Sequence, residues 1–351
     1  MFNWTYWTYH TLTGVEVTDA DATPDPQTMQ RNCNSSDLML LARLVACLLV
    51  LHTGTTNAGA LHVCPPDTPS TTQKLMFYNI LHGGGDRLPR LTAYINTKQV
   101  DFLALSELNH WDADRLQQFG NDLSLPFTYF LPTQHGYHLG IASRYSFELL
   151  SKHGRLDAHA LPSTQQWHHG YIYAYVKHLD LSIFVTHLSP HSSEIRQFET
   201  TQILAEWRHQ THPLLVLGDL NTLSPIDIDV AHPQRLVHLF QQDQRLSKKF
   251  LNENQQAIDY KPMEMLLSEL HDTFNANGKG SRSSVPTGLT NDFMHAAPMR
   301  LDYALSSVNA TYYSWIDPEP WTVSDHLPLI VQRCDRAGGA GLTGNPEPTE
   351  L

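Results

Sequence analysis

Several apolar runs of the chain end in acids, amides or histidines. Asn79 lies in Leu75–Ile80, and Glu107 follows the run from Asp101 to Ser106. His187 follows Leu181–Thr186, and Gly218-Asp219-Leu220-Asn221 follows Leu214–Leu217. Asp302 stands in Arg300-Leu301-Asp302-Tyr303, and Ser324-Asp325-His326 precedes a last apolar run at Leu327–Val331. A carboxylate at the end of an apolar strand is costly to bury unless it is paired or bound to a cation. So many in one domain ask for a common cause. A shared polar pocket holding a hard cation supplies it, because Mg²⁺ prefers oxygen ligands and few protein carboxylates. Each residue also has an ordinary explanation. Asp219 and Asn221 favour turns, Asp302 could pair with Arg300, and His187 could be a loop histidine.

These residues need a layered scaffold to bring them together. Leu75–Ile80 reads as a short apolar strand broken by Gly83-Gly84-Gly85, a flexible turn, and Leu88, Leu91 and Ile95 then recur at helical spacing. Further strands read at 101–106, 140–143, 171–176, 181–186, 300–305 and 327–331, and helices at about 193–207 and 262–270. Leu214–Leu217 is apolar throughout, which predicts burial on both faces. This irregular alternation fits a layered α/β domain. Residues 226–292 read as an elaboration of it: Gln241–Gln256 is polar and glutamine-rich, and Asn275–Ser284 is loop-like.

The ordered set Asn79, Glu107, His187, Gly218-Asp219-Leu220-Asn221, Asp302 and Ser324-Asp325-His326 resembles the endonuclease/exonuclease/phosphatase (deoxyribonuclease I-like) superfamily over roughly residues 73–333. Each piece is short and weak alone; their order beside apolar strands makes them specific. The resemblance implies a four-layer α/β/β/α sandwich of two mixed sheets flanked by helices. It implies Mg²⁺, or Mn²⁺, as cofactor, with Glu107 as principal ligand and Asn79 and Asp325 near the metal. It assigns Asp219 to the attacking water, Asn221 to the phosphate or that water, and His326, paired with Asp302, to the charge of the transition state. His187 would contact the phosphate from the opposite side. These roles agree with the general needs of phosphoester hydrolysis: a water-positioner, a cation and donors to the non-bridging oxygens.

The substrate is less legible. The marks of the inositol 5-phosphatase branch are missing, since Val216-Leu217 precedes Gly218 and the late segment is Arg300-Leu301-Asp302-Tyr303. A phosphodiesterase or nuclease leads; a sphingomyelinase-like lipid phosphodiesterase or a small-molecule phosphatase follows, and a non-catalytic binding protein on the same fold comes last. The partner is thus a phosphate ester (nucleic acid, phospholipid or small molecule), and the chain is expected to be a monomer. A formal net charge of −12 gives no bulk attraction for a polyanion, and no basic, aromatic-interleaved stripe is evident. His138, His168, His169, His191, Tyr137 and Trp167 flank expected loops and could reach substrate. Exposed apolar residues around 226–292, where Phe250, Met263 and Leu267 lie, would point to a lipid interface.

The ends differ from the middle. Residues 1–37 read as a disordered or non-native leader, and 38–60 as a signal peptide if translation starts at Met39. Arg43 then supplies the positive region, Leu44–Leu51 the apolar stretch and Ala58-Gly59-Ala60 the cleavage site. Secretion is the expectation; a cytoplasmic or membrane-anchored chain is the alternative. The domain would span 61–335, with a disordered tail at 336–351. In an oxidising compartment Cys64 and Cys334 could form a disulfide, or remain two separate thiols. Asn309-Ala310-Thr311 is a glycosylation sequon, usable only after export.

Overall fold

The computed structural model describes residues 73–154, 166–227, 232–274, 280–289, 293–295, 297–309 and 311–333. The leader, Cys64, Cys334 and the tail lie outside the described residues, as does the apolar run 38–51. Among the described residues no helix is long and apolar enough to cross a membrane.

Among the described residues twelve strands form two six-stranded sheets. The first contains β1 (Lys74–Asn79), β2 (Phe102–Ser106), β3 (Phe127–Leu131), β4 (Leu139–Ser143), β11 (Tyr312–Ile316) and β12 (Leu329–Arg333), in the order β11-β12-β1-β2-β4-β3. The second contains β5 (Glu148–His153), β6 (Tyr171–Val176), β7 (Leu181–His187), β8 (Leu214–Asp219), β9 (His271–Asp272) and β10 (Asp302–Ser306), in the order β5-β6-β7-β8-β10-β9. Both are mixed: β1 runs parallel to β2 and antiparallel to β12, and β8 runs parallel to β7 and antiparallel to β10.

Strand alternation explains the layers. Successive side chains point to opposite faces. Leu75 and Phe77 of β1 join Ile183, Val185, Leu215, Leu217 and Ala304 in the core between the sheets. Met76 and Tyr78 point the other way, against helices α1 (Leu88–Lys98) and α2 (Ala113–Asp122). On the far side, Leu214 and Val216 pack against α3 (Ser193–Arg208) and α6 (Lys261–Leu267). The result is the expected four-layer sandwich. Both central strands are buried on two faces, as the unbroken apolar run at 214–217 requires.

The described residues of the elaboration form more regular structure than its composition suggests. Helices α4 (Pro233–Phe240) and α5 (Gln244–Phe250) build a satellite core from Leu236, Phe240, Leu246 and Phe250, closed by Val285, Met299 and Leu301. Asp243 caps α5 by accepting hydrogen bonds from the Arg245 and Leu246 amides. Phe250 and Met263 are buried and Leu267 is partly buried, so these side chains build core and not a lipid-facing surface.

Candidate active site

The alternation that builds the core also aims the polar strand ends. Asn79 continues the inward series Leu75, Phe77; His187 continues Ile183, Val185; Asp219 continues Leu215, Leu217; Asp302 shares its face with Ala304. Register sets them side by side: His187 lies opposite Asp219, and Asp219 opposite Asp302. The apolar core therefore ends, at one edge of the sandwich, in a buried polar cluster.

Asp219 is its centre. Its Oδ2 receives a hydrogen bond from Asn79 Nδ2 at 3.2 Å, and it lies 3.3 Å from His187 Nε2 and 3.6 Å from His326 Nε2. The Asn221 amide donates to its Oδ1. Burial alone would raise the pKa of Asp219, yet the charges of His326 and His187 hold it far below the usual carboxylate range. His326 Nδ1 meets Asp302 Oδ2 at 2.7 Å. Burial opposes charge on His326, but Asp302 and then Asp219 outweigh it and hold the imidazole at about 10. Burial also pushes Asp302 upward, with His326 pulling against it; the shared proton belongs to the histidine. His187 is likewise raised, since Asp219 overcomes its burial. Two imidazoles, each raised by the anion between them, thus flank one carboxylate that they keep ionised.

Glu107 reaches the cluster through Asn79, whose Nδ2 also donates to Glu107 Oε1 at 3.0 Å. Asn79 Oδ1 accepts from the Leu81 amide, which fixes the orientation of its side chain. In this geometry Asn79 aligns two carboxylates with its amide nitrogen; its oxygen is turned to the backbone. Ser324 Oγ donates to the Asn79 carbonyl at 2.7 Å and so ties the loop bearing Asp325 and His326 to β1.

One cavity of about 260 Å³ collects these groups. Glu107, His187, Asp219, Asn221, Asp325 and His326 line it, while Asn79 and Asp302 support it from behind. The backbone is unusual along its rim. Leu81 to Gly85 all have positive φ, as do Glu107 and Asn221. A non-glycine residue in that region costs on the order of 1–3 kcal/mol and persists only where its surroundings demand it. Gly83 is obligatory, because a Cβ there would meet the Asn109 carbonyl oxygen at 2.2 Å. The glycine run is thus a fixed turn that presents Leu81 and His82 to the cavity.

The donor set fits a hard divalent cation. Glu107, Asp219 and Asp325 bring three carboxylates to one cavity. The nearby Arg87 guanidinium donates to the Val323 and Leu81 carbonyls. Glu107 and Asp325 are the carboxylates left for metal once Asp219 is committed to its histidines.

The cavity has a further wall. His168, His169, His191 and Lys249 line it, as do Tyr137 and His295. Burial, and then His135, push His168 down to about 3; burial, and then His187, push His169 well below the usual range. His191 is lowered too, by burial and then by Lys248. Helix α3 organises this wall from below. Glu199 accepts from the His168 and Ser189 amides, and Arg196 donates to the Ser189 and Lys249 carbonyls. Tyr137 joins the wall as expected. Trp167 instead packs on Tyr171 and Phe184, and His138 accepts from the Thr133 amide. Lys249 and His295 were not expected from the sequence. For Lys249 the usable signal is Leu246 and Phe250 at helical spacing within the polar stretch; His295 has none.

The sequence matches the Endonuclease/Exonuclease/phosphatase family over residues 76–326. The chain belongs to that family. Among solved structures, an AP endonuclease from Archaeoglobus fulgidus is similar, with 17% identity and a TM-score of 0.50 over 74% of this chain and 98% of that one. An endonuclease/exonuclease/phosphatase from Beutenbergia cavernae aligns with 18% identity and a TM-score of 0.49 over 75% and 72%. At such identity the likeness is one of fold. Among curated proteins no relative matches the sequence. Family members act on phosphate esters as a rule, and the buried acid–histidine cluster is in keeping with that chemistry.

Proposed function

We propose that this protein is a divalent-metal-dependent hydrolase of phosphate esters. The observation that carries the reading is the convergence of Asn79 Nδ2, His187 Nε2 and His326 Nε2 on Asp219 Oδ2, in a cavity also lined by Glu107 and Asp325. The same nitrogen donors can face a phosphoryl oxygen when substrate enters. Asp219, ionised throughout the neutral range, accepts a hydrogen bond from the attacking water and orients it. His326, kept charged by Asp302, and His187 stabilise negative charge as the transition state forms. Asn221, held by its Nδ2 bond to the Leu188 carbonyl, keeps the Asp219 turn in place. A Mg²⁺ or Mn²⁺ held by Glu107 and Asp325 would supply Lewis-acid charge to the phosphate.

A phosphodiester is one substrate class in reach of this arrangement. A second reading, a compact polar phosphomonoester, is favoured by the small cavity and by its wall of neutral imidazoles beside Lys249. The test is hydrolysis by the full chain of plasmid DNA, single-stranded RNA, bis-p-nitrophenyl phosphate, p-nitrophenyl phosphate and sphingomyelin, each with Mg²⁺, Mn²⁺ or EDTA. Chelator-sensitive cleavage is expected. Equal cleavage in EDTA, or none at all from folded protein, would count against the proposal.

A further inference from the structure

His187, at the catalytic cluster, begins a run of ring contacts that leads to the rim of the cavity. Its ring centroid lies 4.1 Å from that of His169, His169 lies 4.4 Å from His168, and His168 lies 4.5 Å from His191. All four line the cavity, and exposure grows along the run: His169 is buried, His168 half-buried and His191 exposed. The hydrolytic scheme uses only His187. His169 commits its Nδ1 to the His187 carbonyl at 3.1 Å. Among the described residues the rings of His168 and His191 make no hydrogen bond. Only their backbone amides do, to Glu199 Oε1 at 2.9 Å and to Ser189 Oγ at 3.2 Å.

We propose that the imidazoles of His168 and His191 form the leaving-group subsite, and that it takes a hydroxyl-bearing group, which makes the substrate a sugar or polyol phosphate. A neutral imidazole offers one donor and one acceptor. A hydroxyl, which also donates and accepts, matches it. Burial holds both imidazoles below their ordinary range, His168 at about 3, so these rings bring no cation for a second anionic group. An apolar leaving group would strip water from the ring nitrogens and return nothing. A flat base or aryl ring needs an open ring face. One face of His168 is already covered by His135, stacked at 4.4 Å and 23°. His169 and His191 stand to His168 at 71° and 89°, so they supply no second parallel face. Glu199 fixes the wall beforehand, because it also accepts from the Ser189 amide at 2.8 Å and so ties the two histidine loops to one helix. Such preorganisation lowers the cost of binding. The assignment rests on the hydrolase reading and names the ester for it.

The test is equilibrium dialysis of the full chain in EDTA against glucose 6-phosphate, glycerol 3-phosphate and phenyl phosphate. Wild type should bind at least one hydroxylated ester more tightly than phenyl phosphate, and the two arms tell sugar from open-chain polyol. His168→Phe and His191→Phe keep a ring and lose its nitrogens. Each should weaken the preferred ester about three- to tenfold, as for one neutral hydrogen bond, and leave phenyl phosphate unchanged. His168→Gln, which restores a donor and an acceptor, should recover most of the loss. Equal binding of all three esters by wild type overturns the proposal, as does binding of none, or equal weakening of all three in the variants. If His168→Phe does not fold, His191→Phe and His168→Gln decide by the same criteria. Turnover is not read here. A hydroxyl preference without hydrolysis in the substrate panel would sink the hydrolase reading alone, and hydrolysis without the preference would sink this one alone.

Discussion

Two buried ionic clusters lie two residues apart in the chain and behave differently. Arg300, 2% exposed, donates to both oxygens of Asp227 and both oxygens of Asp272, at 2.6–3.1 Å. Its guanidinium lies between the rings of Phe274 and Tyr303. Every strong acceptor there has a donor. In the cluster of Asp219, His187, Asp302 and His326, by contrast, His187 Nδ1 and Asp302 Oδ1 are buried without partners. The first cluster is closed; the second keeps two unpartnered buried atoms, and its His187, Asp219 and His326 line a cavity. A closed network fixes the sheet; an open one holds its groups ready for a ligand.

That contrast predicts a separation of rate from stability. Asp219→Asn should lower kcat by roughly 10²–10⁴-fold, the range for a group that acts on proton transfer or transition-state charge, with a smaller loss of stability than at Arg300, because His187 and His326 can release their protons when the anion goes. A large drop in Tm would make this cluster structural as well. Arg300→Met should cost about 3–5 kcal/mol, because two carboxylates lose their buried partner, while the kcat of the remaining folded protein stays near normal. Chemical denaturation and active-site-normalised rates would separate the two effects. Asp302→Asn should shift the pH profile. In the proposed mechanism His326 acts charged, so activity should fail as pH rises through its pKa of about 10. Removing the anion lowers that pKa and moves the alkaline limb to lower pH; an unmoved limb would divorce His326 from Asp302. The pair's stabilisation has the same sign: full below the ordinary imidazole range and lost as pH approaches 10. The smallest effect is expected from His191→Ala on the neutral wall, a rise in KM of under about tenfold, as for one neutral hydrogen bond. A comparable loss of kcat would place His191 in the chemistry.

The central strands and the polar residues at their ends were legible because burial on both faces leaves an uninterrupted apolar run that stops where the polar cavity begins. Asp219 after Leu214–Leu217 shows this most clearly. Edge strands were not legible. β5 has only exposed and half-buried residues, so no face of it must be apolar, and β3 is nearly as exposed. Helix α5 was hidden because Gln244, Lys248 and Lys249 mask its two buried apolar anchors. Asp302 and Arg300, which the sequence allowed to be partners, turned out to serve separate clusters. The direction of the Asn79 amide depends on a backbone bond two residues away and leaves no trace in composition.

The position of β12 between β1 and β11 matters for how the chain is made. Of the described strands β1 is the first to leave the ribosome, yet its neighbour on one side is the last of them, pairing Lys74 with Gln332. Until residue 333 has emerged, β1 keeps an open edge, and such edges invite pairing with other chains. Because Asp325 and His326 lie just ahead of β12, the same late event that closes the sheet also delivers them to the cavity. A nascent or truncated chain lacking this strand therefore has both an exposed edge and an incomplete cavity, which ties completion of the site to the emergence of β12.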